Sequence, residues 1–226
     1  MWIKICGNTN LDDALLAADA GADAVGFVFA ASPRKVTAEQ VAKITPHLPE
    51  KLEKIGVFVQ LEFDDIVKTV ESCALTGVQL HVRQSPRLIQ SLRERFGQDF
   101  RLIQATHWRV TGQDTNRLSA ELREYRSTKA IDSVLVDSRT TVAEGGTGVA
   151  FDWKAAQSVL VELAPKPLVV AGGLHPNNVV EAIAVLQPWG VDVVTGVESA
   201  PGKKDAEKVR AFVTNARSAD HANNAI

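Results

Sequence analysis

One pattern constrains this chain more than any other. Short apolar runs trade places with amphipathic segments eight times along its 226 residues. The runs are Trp2–Cys6, Ala24–Phe29, Lys54–Val59, Gly77–His81, Arg101–Ala105, Ser133–Asp137, Pro167–Ala171 and Val191–Thr195. Their length and bounding residues suit strands buried on both faces. The spacing between them predicts helices over Leu11–Asp19, Ala38–His47, Phe63–Ser72, Pro86–Phe96, Asn116–Arg126, Trp153–Leu163, Asn177–Leu186 and Ala206–Ala216. Asn10 is suited to cap the first helix, and Pro176 fits the first turn of the seventh. Val179, Val180, Ile183 and Leu186 form one apolar stripe on that helix.

Strands alternating with helices through short connections call for a parallel sheet. Eight such units in this length favour an α/β protein built as a single (β/α)8 TIM barrel, with an open doubly wound sheet as the alternative. No linker rich in Gly, Ser or Pro divides the chain, so residues 1–217 read as one barrel. The polar ending SADHANNAI, residues 218–226, reads as a frayed tail. The stretch THWRVTGQDTN in the fifth unit is polar and reads as a loop.

Composition narrows the function classes. The formal net charge of -2 leaves no basic footprint for nucleic acid, and an anionic ligand must be held by local donors. No stretch approaches the ~20 apolar residues of a membrane span, and the N-terminus lacks the features of an export signal. Two cysteines, Cys6 and Cys73, form neither a disulfide framework nor a Cys/His zinc cluster. The sequence thus points to a cytoplasmic enzyme with a small-molecule partner, no metal and no organic cofactor. It is equally compatible with a monomer and a homodimer.

In barrels of this kind the chemistry sits at the C-terminal strand ends. Strand residues alternate faces, so Ile3 and Ile5 suit the helix side while Lys4 and Cys6 point to the barrel axis. Leu135 and Asp137 share a face of the sixth strand, with Asp137 last. Closure leaves those two strands three steps apart, so Cys6 and Asp137 can face one bound substrate. A carboxyl after the apolar run VLV is partly desolvated, which raises its pKa toward that of a general acid. A thiol near a bound cation serves as a base through its thiolate. The plainer readings are a small buried hydrophobe for Cys6 and a cap for Asp137. Cys73 reads as core packing.

Glycine turns follow the last two strands. AGGLHPNN contains Gly172 and Gly173, and TGVESAPGKKD contains Gly196. Their backbone N–H groups can reach a phosphate, although ordinary turn chemistry uses the same residues. Three glycines in Glu144–Gly148 suggest a loop that closes over substrate. Arg34 can grip a carboxylate through its planar fork, or lie solvated at the surface. Gln79 and His81 share a face and line the pocket or form a structural hydrogen bond. Lys4 needs a buried partner, and Asp192 on the neighbouring eighth strand is the candidate.

These residues together resemble a known family. KICGNT, DDALLAADAGADAVGFVF, SPRKV, IGVFVQ, VQLH, LVDS, GGTGVAFDW, VVAGGLHPNNVVEAI and VDVVTGVESAPGKKD are similar, in order and spacing, to phosphoribosylanthranilate isomerase of tryptophan biosynthesis. The resemblance covers nearly the whole chain. It implies a barrel and an Amadori rearrangement of N-(5'-phosphoribosyl)anthranilate. It also implies Cys6 as general base, Asp137 as general acid, Arg34 on the anthranilate carboxylate, and Gly172, Gly173 and Gly196 on the phosphate. Two positions depart from the family: Val82 stands where glycine usually follows QLH, and Gln104 where the fifth strand often carries lysine. Other ribose-phosphate barrels are the alternatives. An indole-glycerol-phosphate synthase would call for catalytic lysines at strand ends, and a ribulose-phosphate epimerase for histidines and aspartates around a metal. A non-catalytic phosphate-binding barrel would not need Cys6 and Asp137.

Overall fold

The computed structural model describes residues 1–59, 62–109, 115–139 and 153–223. Its eight parallel strands close into a barrel in chain order. They are β1 (Trp2–Ile5), β2 (Ala24–Val28), β3 (Glu53–Phe58), β4 (Gly77–Leu80), β5 (Arg101–Arg109), β6 (Ser133–Arg139), β7 (Leu168–Ala171) and β8 (Gly190–Val193). Pairing of β1 with β8 rules out the open sheet. The helices are α1 (Leu11–Asp19), α2 (Ala38–Ile44), α3 (Phe63–Ser72), α4 (Pro86–Phe96), α5 (Thr115–Ser127), α6 (Trp153–Leu160), α7 (Val179–Leu186) and α8 (Ala206–Asn223). A short antiparallel pair, β9 (Glu198–Ala200) and β10 (Lys203–Lys204), follows β8.

Local chemistry sets the helix starts. The Asn10 side chain accepts from the Asp13 amide, as its position predicted. Thr37 and Gln40 form a reciprocal capping box on α2, and Ser85 caps α4 ahead of Pro86. The seventh helix differs from expectation. It begins at Val179, so Pro176 lies in the preceding turn, where the Asn178 side-chain Oδ1 accepts from the His175 backbone amide. Val180 is exposed; the buried stripe runs through Val179, Ala182, Ile183 and Leu186.

The end of the chain also differs. Helix α8 continues past residue 217 to Asn223. Asp220 pairs with the Met1 ammonium at 2.6 Å, and Arg217 pairs with Asp23 at 2.7 Å and donates to the Met1 carbonyl. These ties fasten the last turns to the start of β1, which the polar composition did not reveal. The fifth unit is corrected too. Strand β5 runs to Arg109, so Thr106, His107 and Trp108 are ladder residues paired with β6 rather than loop. The glycine-rich stretch 144–148 lies outside the described residues.

Two apolar clusters make the core. The larger fills the layer between strands and helices and contains Ile3, Ile5, Val25 and Phe27. The smaller lies inside the barrel and contains Trp2, Ala24, Ile55, Ile103, Leu135 and Val169. Above this plug the interior turns polar. Lys4 is fully buried, and its ammonium meets Asp192 at 2.8 Å across the β1–β8 seam. Removing one partner leaves a buried uncompensated charge. Asp192→Ala should therefore lower unfolding free energy by about 3–5 kcal/mol in urea titrations, whereas the paired change Lys4→Met with Asp192→Leu should recover most of it.

Candidate active site

Cys6 follows β1 directly, and its amide donates to the Val193 carbonyl of β8 at 2.9 Å. This anchors it at the C-terminal mouth, 3% exposed. Gly26 on β2 is what lets the thiol fit: a Cβ there would stand 2.4 Å from the Cys6 sulfur. Burial pushes the Cys6 thiol above its ordinary pKa; the Lys4 and Lys204 charges and a hydrogen bond from Lys4 oppose that rise, while Asp192 adds to it. Burial alone would lower Lys4, but Asp192 and Cys6 outweigh it and hold the ammonium above its usual value. The balance leaves the thiol protonated over a permanent cation.

The rim beside Cys6 carries a second buried pair that the sequence reading did not assign. Lys204 donates to the Cys6 carbonyl at 2.6 Å and to Glu198 at 3.2 Å. Arg34 meets the other side of Glu198, with Nη2 at 2.6 Å and Nε at 3.0 Å. Burial would raise the Glu198 carboxyl, yet the Arg34 hydrogen bond and the Lys204 charge hold it below its ordinary range. Lys204 is lowered by its burial, with Glu198 opposing. Arg34 is thus not a solvated surface residue. The carboxylate it grips is the protein's own, along the Nε–Nη2 edge of its fork.

Asp137 sits on the inward face of β6, two residues beyond Leu135 of the barrel plug. It is not last on its strand, since β6 continues to Arg139. Its side chain is 20% exposed, in keeping with the partial desolvation inferred from its apolar run. His107 is its ladder partner on β5, with Nδ1 3.9 Å from the Asp137 Oδ2. His81, just past β4, packs edge-on against His107 at 5.0 Å, and the buried Gln79 amide lies 3.3 Å from its Nδ1. Gln79 is buried beneath His81 and meets it through this side-chain contact. His107 was missed because its segment read as loop; alternation continued past Ile103 and Ala105 would have placed it inward.

Gln104 is fully buried beside the plug residue Ala105. Its amide donates to the carbonyls of Leu80 and Val82, at 3.1 Å each. The two family departures therefore touch one another: Gln104 ties down the turn that contains Val82. Cys73 is buried and its thiol donates to the Ala38 carbonyl at 3.3 Å, consistent with a packing role.

The two glycine turns meet. Gly172 and Gly173 follow β7 with φ of 84° and 65°, a left-handed region that glycine enters without strain. A Cβ on Gly196 would lie 1.9 Å from the Leu174 carbonyl, so the turns after β7 and β8 are in backbone contact. Only glycine permits that approach. Cys6 and Arg34 are joined through Lys204 and Glu198, while Asp137 stands with His107 and His81 on strands β4 to β6.

Comparison with known proteins gives this arrangement a context. The sequence model described as N-(5'phosphoribosyl)anthranilate (PRA) isomerase matches residues 3–215. An N-(5'-phosphoribosyl)anthranilate isomerase of Geobacter sp. (strain M21) is 41% identical over 216 residues, covering 95% of this chain and 97% of its own. The crystal structure of phosphoribosyl anthranilate isomerase from Thermotoga maritima superposes with a TM-score of 0.83 at 36% identity, covering 96% of this chain and 99% of its own. A second such isomerase structure, in complex with reduced 1-(o-carboxyphenylamino)-1-deoxyribulose 5-phosphate, gives 0.79 at 35% identity, with coverage of 96% and 99%.

Gly26 provides a test of this geometry. Gly26→Ala should displace the Cys6 sulfur and cost about 1–3 kcal/mol of stability through overpacking. Thermal unfolding and turnover measured together should show both losses, and a fully active Gly26→Ala protein would contradict the described packing.

Proposed function

On the premise that the chain belongs to the N-(5'-phosphoribosyl)anthranilate isomerase family, we propose how its own residues carry the Amadori rearrangement of N-(5'-phosphoribosyl)anthranilate to 1-(2-carboxyphenylamino)-1-deoxyribulose 5-phosphate. The reaction is an isomerisation in tryptophan biosynthesis. Asp137 donates its proton to the furanose ring oxygen as the bond from that oxygen to the anomeric carbon breaks. The nitrogen lone pair forms the C=N bond of an iminium. That cation acidifies the proton on the adjacent carbon. The Cys6 thiol gives its own proton to solvent, the resulting thiolate removes the carbon-bound proton, and the electron pair left behind neutralises the nitrogen to give an enolamine. Tautomerisation to the ketone restores the protons, so atoms and electrons balance within the substrate. Every step uses side chains, substrate and solvent alone.

The observation that carries this reading is the setting of Cys6. A thiol raised by burial yet poised over Lys4 is neutral in the free protein, and it becomes easier to ionise when a cation forms beside it. The iminium is such a cation. The thiolate is thereby populated as the step that needs it arrives. Asp137 sits on the same end of the barrel in a partly desolvated setting, which suits a carboxyl that must hold a proton.

The remaining contacts follow from the rim. Glu198 occupies the Nε–Nη2 edge of Arg34, so the anthranilate carboxylate meets the Nη1 side of the same guanidinium. Glu198 and Lys204 act as positioning residues for that fork. The converging turns at Gly172, Gly173 and Gly196 offer backbone N–H groups to the 5'-phosphate. Residues 1–217 form the catalytic barrel in this reading, and two free cysteines suit a cytoplasmic setting. Among the described residues no helix is long and apolar enough to cross a membrane.

Three measurements test the roles. Cys6→Ser and Asp137→Asn should each lose about 10²–10⁴-fold in turnover, followed through the change in anthranilate fluorescence. Full activity in either would remove that residue from the mechanism. Arg34→Lys should raise KM more than it lowers kcat, because lysine cannot hold the fork against Glu198 and a second carboxylate. The pH profile has a definite sign. The base works deprotonated and burial raises its pKa, so the ultraviolet thiolate absorbance of Cys6, taken as the difference from the Cys6→Ser protein, should climb only in the alkaline range. Lys4 lowers that pKa more than Asp192 raises it, so the Lys4→Met, Asp192→Leu protein should show the same climb moved to higher pH.

A further inference from the structure

The acid–base reading uses one residue of the mouth cluster and leaves two histidines over. We propose that His81, His107 and Asp137 form a binding site for a divalent ion of the zinc class, and that the bound ion silences the isomerase. The site follows from three neighbouring strand ends. His81 follows β4, His107 lies on β5 and Asp137 on β6, and the last two are direct ladder partners. One ligand atom from each lies within 4.8 Å of the other two. The His107 Nδ1 to Asp137 Oδ2 separation is 3.9 Å. Two ligands held at about 2.0–2.1 Å on a tetrahedral ion stand roughly 3.3 Å apart, so closing the site asks for side-chain shifts of about 1–1.5 Å. Partly exposed side chains at a barrel mouth can make that movement.

The donor set selects the ion. Two imidazoles and one carboxylate suit zinc and its neighbours among the transition metals, whereas magnesium and calcium prefer oxygen alone. Three protein ligands leave a position open toward the pocket, as in an accessible rather than a closed zinc site. A supporting group is already in place. Gln79 is 2% exposed, with its amide beside the His81 Nδ1 and its Oε1 buried without a hydrogen-bond partner. With the amide turned over, Oε1 accepts from Nδ1–H. That fixes the His81 tautomer and leaves Nε2 as the metal ligand. The sequence offers no sign of the site, because its ligands are 26 and 30 positions apart and meet only through the barrel.

The ion's effect on rate follows from the carboxylate. An oxygen of Asp137 bound to a dication carries no proton to give the ring oxygen. This consequence rests on the reading of Asp137 as the acid; the metal site does not.

The test separates the two. The full chain, stripped with a chelator, is titrated with zinc chloride by calorimetry and with cobalt(II) by visible absorption. The proposal expects one ion per chain, loss of binding in His107→Ala and in Asp137→Asn, and weakening of roughly 10–100-fold in Gln79→Ala. If His107→Ala fails to fold, His81→Asn carries the same expectation. Absence of saturable one-to-one binding overturns the site, as does binding unchanged in the folded ligand variants. Turnover of the wild-type chain should fall as zinc fills the site and return with chelator. Binding without that fall would leave the site standing and overturn its inhibitory effect together with the acid role of Asp137.

Discussion

Everything at the mouth of this barrel rests on the ion pair between Lys4 and Asp192. It spans the seam where the first strand meets the last, so it exists only in the closed barrel. Taking both charges out of water is costly, and hydrophobic replacements would serve stability nearly as well. What the pair supplies is a fixed cation under Cys6. A lone thiol at that depth would be inert. A thiol with a buried ammonium below it and Lys204 beside it is held ready to ionise.

The charges continue from that pair to the rim in an ordered series. Asp192 holds Lys4, Lys4 faces the Cys6 sulfur, Lys204 grips the Cys6 carbonyl and Glu198, and Glu198 fixes Arg34. Each group is oriented by the one before it. Arg34 is therefore presented with one edge already committed, and the geometry of the remaining edge is set by the fold. On the opposite arc, Asp137 stands with two imidazoles. The two arcs differ in electrostatic character, which suits a pair of groups that must begin the reaction in opposite protonation roles.

Much of this was legible in the sequence, for identifiable reasons. The strand count, barrel closure and inward placement of Lys4 and Cys6 follow from period-two alternation and from the constraint that a buried lysine needs a partner. Helices α1, α3 and α4 have the boundaries their spacing predicted. The failures have physical causes as well. Strand β5 was cut short because its inward positions turn polar at the mouth, where a functional pocket replaces apolar packing. That hid His107. The frayed tail was inferred from composition, but residues 218–223 are helical and tied to Met1 through Asp220. Gly26 was invisible because its importance lies in contact with a side chain 20 positions away. Long-range pairs such as Arg34 with Glu198 leave no local pattern.

The central claim is that one thiol removes the carbon-bound proton. Single-turnover rates on substrate carrying deuterium at ribose carbon 2 address it directly, with the wild-type chain compared to Cys6→Ser. The account predicts slower turnover of the deuterated substrate by the wild type, and a larger isotope effect in the serine variant, where proton removal alone limits the rate. An unchanged isotope effect, with the two proteins turning over equally fast, would contradict it.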